Sequence, residues 1–304
     1  MLAAIAPAAT RSVDRAPEAA AVVATQGQGW WPDWTLFGDA MLVGGALAAV
    51  LPCFGVLLVL RQQVFVAAAI GQAATFGFAA ALACGLGHAH GGDAHGRGAV
   101  VSAGAAAAIA TAIAALRAMS ARQSTLEARS AWVFLFGGSA AMVLLNDVPH
   151  GPQAVQRLFL SSLLAVAPYD VGLVVAGAVL LAVMALPLRR RLLLWAIDPW
   201  TAAAHGARLW RYDLLVGVVL GAWFAYAIAA TGLVFTFGAA VLPVLAARAL
   251  AGSLRSVLVL APLLGALGLV VAFAVAHRCD LPPGQVFTAV QGALALLCRL
   301  LPRR

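Results

Sequence analysis

The chain has 304 residues, of which 63% are hydrophobic and 10% charged, and its mean hydropathy is +0.97. Soluble domains carry about 25% charged residues, so this composition excludes a soluble globular protein and predicts a polytopic membrane protein. The net charge of +8 comes from arginine alone, since the sequence contains no lysine. These arginines cluster at the ends of apolar segments rather than on a polar face, so the charge does not indicate nucleic-acid binding.

Residues 1–35 are predicted to form an N-terminal tail, because their apolar run is too short and too interrupted to cross a bilayer. Residues 36–302 are predicted to form the transmembrane domain. Apolar segments that approach the span length of about 20 residues are Leu36–Leu60, Val64–Leu86, Ala99–Leu116, Ala131–Leu145, Val171–Leu186, Leu214–Ala230, Leu233–Ala247, Val257–Ala276 and Gly284–Leu301. The fourth, seventh and ninth are short and are candidates for partial or re-entrant helices. We therefore expect an all-α protein with about eight to nine transmembrane helices.

The distribution of arginine predicts the orientation in the membrane. With residues 189–213 in the cytoplasm and the spans alternating from there, fourteen of the 19 arginines lie inside. The five outside are Arg11, Arg15, Arg97, Arg157 and Arg278. The opposite orientation would violate the positive-inside rule, so we expect a multi-pass protein of a bacterial inner membrane, surrounded by lipid.

Two polar residues, Gln72 and Thr75, lie inside the second predicted span. A spacing of three places both on one face of a helix, with Gly71 nearby. One interpretation is that they line a translocation pathway; the other is that Gln72 bonds to a neighbouring helix. No acidic or basic side chain lies in the middle of a predicted span, which argues against a proton relay that would drive secondary transport.

The segment Gly87–Gly98, GHAHGGDAHGRG, concentrates side chains that bind metal ions. His88, His90, Asp93 and His95 lie at short spacing on a glycine-rich loop, which can wrap a divalent ion such as zinc. In the predicted orientation this loop faces outwards. The alternative is a solvated polar loop that binds no metal.

The segment 189–213, RRRLLLWAIDPWTAAAHGARLWRYD, is the longest basic interruption of the apolar C-terminal half. Asp198 can cap a helix in which Pro199 is the first residue, because proline there wastes no backbone donor. Trp200–His205 would continue this helix and Gly206 would end it in a left-handed conformation. A short cytoplasmic helix among arginines indicates a docking element; the alternative is an ordinary loop that happens to be helical.

Three segments of the C-terminal half resemble the permease subunits of bacterial ATP-binding-cassette importers for zinc, manganese or iron. They are IDPWTAAAHGARLW, ATGLVFTFGAAVLPVLAARAL and DLPPGQVF, which occur in the order and at about the spacing of that family. Upstream, LFLSSLLAVAPYD and FGVLLVLRQQVFVAAAIGQAATFGFAAAL resemble further family segments. The resemblance covers residues 40–298, and its specific part is Asp198–Gln285.

The resemblance implies a role for each part. The short helix would be the coupling helix that inserts into a groove on a cytoplasmic ATPase subunit. Asp198, Ala202 and Gly206 match the family pattern, and together with Pro199 they are the predicted coupling residues. The permease would act as a homodimer with one ATPase under each copy, fed from outside by a substrate-binding protein.

The second span departs from the family, whose pattern there is Gly-Asp-Ala-(Leu/Ile)-Ser-His-Ala. In this chain Gln72 replaces the aspartate and Phe76 replaces the histidine, both of which the family uses to pass the metal. A neutral amide is a poorer ligand for zinc or manganese than carboxylate and imidazole. The predicted translocation path, formed by Gln72, Thr75 and Phe76, therefore leaves the cargo open.

We expect a permease subunit of an ATP-binding-cassette importer, with a divalent metal as the transported ion and no cofactor bound by the chain itself. ATP hydrolysis is expected from a separate subunit, because a Walker A loop requires lysine, which this sequence lacks. Two alternatives remain. The same fold carries a metal chelate or another small solute, or the chain is a non-transporting membrane enzyme or assembly protein.

Overall fold

The computed structural model describes residues 34–85, 94–117, 123–146, 148, 168–206 and 208–300. This described part contains helices and no strand, which confirms the predicted all-α class. The helices are α1 Trp34–Leu60, α2 Val64–Ala83, α3 Ala94–Arg117, α4 Gln123–Leu145, α5 Pro168–Ile197, α6 Pro199–Ala204, α7 Leu209–Thr231, α8 Leu233–Leu250, α9 Leu254–Cys279 and α10 Pro283–Leu300.

Each predicted span coincides with a helix, and a multi-pass membrane architecture is confirmed. Within the described ranges, six segments are long and apolar enough to cross a bilayer: Phe37–Leu60, Val64–Ala83, Glu127–Leu145, Leu209–Thr231, Leu233–Leu250 and Leu254–Cys279. A shorter apolar segment, Val101–Leu116, lies within α3. The three spans expected to be partial are continuous helices, since α4 has 23 residues and α8 and α10 have 18 each.

The main apolar core draws most of its residues from α1, α2, α7 and α8, and α3, α5, α9 and α10 also contribute to it. Helices α3 and α4 pack against α2, and α3 also packs against α7. On the other side α9 packs against α1, α8 and α10, while α5 packs against α1. Among the described helices, α6 packs mainly against α5 and α7, so it lies at one end of the bundle.

Glycine allows α1 to approach two other helices at backbone distance. A Cβ added at Gly55 would lie 1.7 Å from the carbonyl oxygen of Ala240 on α8. One added at Gly265 on α9 would lie 2.0 Å from the carbonyl oxygen of Ala48 on α1. Lipid supplies no hydrophobic force between helices, so close van der Waals packing of this kind holds the bundle together.

Replacing Gly55 with alanine should destabilise the protein, because the new methyl group must displace the backbone of α8. Overpacking of this kind costs about 1–3 kcal/mol, which a lower midpoint of thermal unfolding in detergent will report. Gly172→Ala is the matched control, since nothing lies within 4 Å of the position of its added Cβ on α5. An unchanged midpoint for Gly55→Ala would contradict the close contact between α1 and α8.

Candidate functional site

The segment between α5 and α7 folds as its sequence predicts. Asp198 caps α6, and its Oδ1 accepts hydrogen bonds from the backbone N–H groups of Trp200 at 3.1 Å and Thr201 at 3.0 Å. Pro199 is the first helical residue. Gly206 follows the helix with φ of +78°, the left-handed conformation that glycine adopts without strain. The predicted helix with its start and stop signals is thus present.

The Thr201 hydroxyl donates a further hydrogen bond to the second carboxylate oxygen of Asp198. This bond, with those from the backbone N–H groups of Thr201 and Trp200, lowers the pKa of Asp198 below its usual value of 3.8. The carboxylate is therefore ionised at neutral pH, and its charge also interacts favourably with the N-terminus of the helix.

Most of the α6 surface faces away from the bundle. Trp200 is 84% exposed, the highest fraction among the large apolar side chains of the described residues. Ala202 is the buried residue of this helix, so it packs towards its own chain rather than outwards. Four exposed arginines flank the helix: Arg190, Arg191, Arg208 and Arg211. Tryptophan and arginine are the residues most enriched at the energetic centres of protein interfaces.

Three side chains join the two ends of this segment to α1, and we call them the Arg61 cluster: Arg61, Trp195 and Asp213. The Arg61 guanidinium lies over the indole of Trp195, with Cζ 3.4 Å from the ring centroid. Its Nη2 donates a hydrogen bond to the backbone carbonyl of Trp195 at 3.3 Å. The indole Nε1 of Trp195 donates to Oδ1 of Asp213 at 3.1 Å, and Nη1 of Arg61 lies 3.7 Å from the same oxygen.

The Arg61 cluster is largely removed from solvent. The side chains of Arg61 and Asp213 are 3% and 13% exposed. Beside them a small apolar core formed by Leu116, Trp195, Ala196 and Val216 brings together α3, α5 and α7, with two leucines of α1 packed against it. Burial lowers the pKa of Arg61 to about 10, against the opposing effect of Asp213. Arg61 thus remains a cation at neutral pH.

The sequence does not reveal this cluster. Arg61 is one of the fourteen arginines that predict the orientation, and Trp195 and Asp213 lie in the basic segment 189–213. The available signals were an arginine directly after an apolar span and a carboxylate at the start of another. Neither signal identifies its partner, because Arg61 and Trp195 are 134 residues apart.

The predicted path residues of α2 lie against α4 within the chain. Gln72 is buried, and a Cβ added at Gly138 of α4 would lie 2.8 Å from its Oε1. This oxygen accepts no hydrogen bond within the described part of the chain. Thr75 is also buried, but its hydroxyl donates to the carbonyl of Gly71 at 3.0 Å, so its own helix satisfies it.

Phe76 is half-buried, and its ring centroid lies 6.3 Å from that of Phe136 on α4. Neither of the two large cavities found among the described residues is lined by Gln72, Thr75 or Phe76. One of these cavities is an apolar cleft of about 600 Å³ between α1, α5 and α7. The structure therefore places the three residues together on α2, outside these two cavities.

The histidine-rich segment lies largely outside the described residues. His88, His90 and Asp93 are not described, and of His95 only its place in the first turn of α3 is. Among the side chains that the structure describes, no group of three or more His, Cys, Asp or Glu comes together as a metal site. The predicted metal contact at this loop stays a prediction.

Comparisons with known proteins agree on one architecture. Residues 34–301 match the ABC 3 transport family. The solved structure of PsaBC from Streptococcus pneumoniae in complex with Fab is similar, with a TM-score of 0.69, 18% identity, and coverage of 87% of this chain and 91% of that one. An inward-facing ABC transporter assigned to the metal-chelate type gives a TM-score of 0.66 at 17% identity, covering 84% and 82%. No curated protein matches in sequence. At these identities the structural likeness shows the fold alone.

Asp198→Ala should accelerate amide hydrogen exchange in residues 199–206, because two backbone donors of α6 lose their acceptor. Asp198→Asn is the matched control, since its amide oxygen still caps a helix. Exchange can be followed by mass spectrometry on the detergent-solubilised protein.

The same measurement has a predicted pH dependence. The folded-state pKa of Asp198 is lowered, so the cap stabilises α6 fully above 3.8 and is lost as the pH falls through the lower folded value. After correction for intrinsic exchange rates, the backbone amides of α6 should stay protected until the pH falls below 3.8. Protection that disappears near neutral pH, or that Asp198→Ala leaves intact, would contradict the cap.

Proposed function

We propose a transport function for this chain, which belongs to the ABC 3 transport family: it is the membrane-spanning permease subunit of an ATP-binding-cassette importer for a divalent metal ion, zinc, manganese or iron. The family match over residues 34–301, nearly the whole described chain, is the observation that carries this proposal. It favours transport over a membrane enzyme or an assembly protein. The name of one of the two similar structures is that of a metal-chelate type ABC transporter, which supports a cargo that contains a metal.

Helix α6 is proposed as the coupling helix, with Asp198, Pro199, Ala202 and Gly206 fixing its shape. Its exposed Trp200 and the surrounding arginines supply an apolar anchor and a positive rim for a groove on a cytoplasmic ATPase subunit. The buried Ala202 gives α6 a close contact with its own chain, so a displacement of α6 is expected to move the helices that it contacts.

The importer is proposed to contain two copies of this chain, each above one ATPase, and to receive cargo from an extracytoplasmic substrate-binding protein. Approach of the two ATPases on binding ATP would push the paired α6 helices and switch a cavity between the two copies from outward to inward access. We place Gln72, Thr75 and Phe76 beside this cavity; they line neither of the two cavities described above.

A second candidate cargo is a metal chelate or another small solute. Two observations favour it: the neutral amide of Gln72 and the aromatic ring of Phe76 lie where the family has aspartate and histidine. Neither side chain is a strong ligand for a bare divalent ion, whereas an uncharged oxygen beside an aromatic ring suits an organic complex. The buried Oε1 of Gln72, which accepts no hydrogen bond from the described residues, is the acceptor proposed to face the cargo.

Trp200→Ala should reduce the amount of ATPase subunit that co-purifies with the permease. An interface tryptophan of this kind contributes about 2 kcal/mol or more, so we expect the affinity for the ATPase to fall about thirty-fold or more. Trp132→Ala is the control, since it removes another exposed indole, on α4, away from α6. Undiminished ATPase binding would contradict the docking role of Trp200 and of α6.

A panel of zinc, manganese and iron ions and their chelates, tested on the reconstituted complex, identifies the cargo. For bare-ion transport we expect Gln72→Asp combined with Phe76→His to lower the half-maximal ion concentration about ten-fold, because carboxylate and imidazole bind these ions better. Gln72→Asn is the control, since it keeps a neutral amide. Stimulation by a chelate and by none of the ions would establish the second cargo instead.

A further inference from the structure

The Arg61 cluster connects both ends of the α6 segment to the end of α1 through polar side chains. Trp195 is near the end of α5, and Asp213 is near the start of α7. Arg61 contacts both and directly follows α1, in the turn that leads into α2 at Val64. A displacement of α6 therefore moves the two groups that hold this arginine.

Anchoring alone does not explain an arginine at this position. Removing an ion pair from water costs more free energy than apolar packing of the same volume, so a static joint is served as well by hydrophobic side chains. The neighbouring core of Leu116, Trp195, Ala196 and Val216 already supplies such packing. The charged groups are therefore candidates for a role beyond cohesion.

The hydrogen bonding of Arg61 is incomplete in the observed arrangement. Its Nε and Nη1 donate no hydrogen bond within the described part of the chain. Nη1 is 3.7 Å from Oδ1 of Asp213, an ion-pair distance that is too long for a hydrogen bond. A relative shift of α7 by less than 1 Å would close this gap to the usual length of about 2.9 Å for such a pair. Such a shift would turn the loose ion pair into a hydrogen-bonded one.

We propose that Arg61, Trp195 and Asp213 are positioning residues that transmit movement of α6 to α1 and to the turn into α2, by alternating between a loose and a hydrogen-bonded Arg61–Asp213 pair. The inference rests on the proposed function, since α6 moves only under an ATPase. Through α2 the movement reaches Gln72, so the cluster links the docking helix to the proposed path. Trp195 connects the other two residues, because its indole stacks on Arg61 and its Nε1 donates a hydrogen bond to Asp213.

The test is the number of cargo molecules transported per ATP hydrolysed by the complex reconstituted in liposomes. Arg61→Gln and Asp213→Asn should each lower this ratio about five-fold or more, the usual range of a coupling free energy, while hydrolysis continues. The double variant should be no worse than the poorer single variant, because both remove one interaction. Arg255→Gln is the matched control: it removes an exposed arginine at the start of α9 and should leave the ratio unchanged.

Arg61→Lys and Trp195→Phe separate the contributions within the cluster. Arg61→Lys keeps the charge but loses the planar stacking on the indole, and Trp195→Phe keeps the stacking but loses the donor to Asp213. Both should give intermediate ratios. Transport and hydrolysis that fall in proportion, together with a lower unfolding temperature, would show a merely structural role and overturn the proposal, as would an unchanged ratio.

A second measurement does not depend on the ATPase. Hydrogen exchange of residues 199–206 in the permease alone should be faster in Arg61→Gln than in the wild type and unchanged in Arg255→Gln. If the wild-type permease binds no ATPase, the proposed function fails, and this comparison still decides whether the Arg61 cluster holds α6. Equal exchange in Arg61→Gln and the wild type would overturn the inference even if the complex assembles.

Discussion

Helices in a bilayer gain little from hydrophobic association with one another, so the contacts that hold them must come from shape and a few polar groups. In this chain α1 makes the closest contacts of this kind. Gly55 brings it against the backbone of α8, and Gly265 brings α9 against it from another side. A helix gripped at backbone distance by two neighbours moves with them as a unit. The Arg61 cluster is attached to the end of this rigid group, which makes it a joint between the group and the segment that bears α6.

Two kinds of hydrogen bonding occur among the buried polar side chains of the described residues. The hydroxyls of Thr75, Thr231 and Thr236 each donate to a carbonyl four residues earlier in the chain, which satisfies them within a helix or its first turn. Such groups cost little and specify little beyond local geometry. Arg61 belongs to the other kind, because its partners come from α5 and α7. Groups whose partners lie on separate helices report the relative position of those helices, which is the property a transmitted movement needs.

Local signals predicted well and distant pairings did not. Asp198, Pro199 and Gly206 determine their backbone geometry within a few residues, so the sequence alone located α6 correctly. Apolar length located the spans in the same way. The start of α4 at Gln123 was missed, since the charged residues Glu127 and Arg129 interrupt the apolar pattern of a helix that simply continues beyond the hydrocarbon. The Arg61 cluster was beyond reach, because tertiary packing alone brings its members together.

Gln72 and Phe76, in place of the acid and imidazole of the family, are compatible with the proposed transport cycle. A path in an ATP-driven importer has to release its cargo at each turnover, and conduction requires binding that is weak enough to leave. In the proposed importer, selection and capture would belong to the substrate-binding protein outside, and the free energy would come from the ATPase subunit. A neutral amide on α2, buried against Gly138 of α4, presents one oxygen and no charge. A permease that works in this way depends more on mechanical coupling between its helices than on strong ligands for the cargo. The location of its buried charge agrees with this, because Arg61 lies near α6 and not beside Gln72.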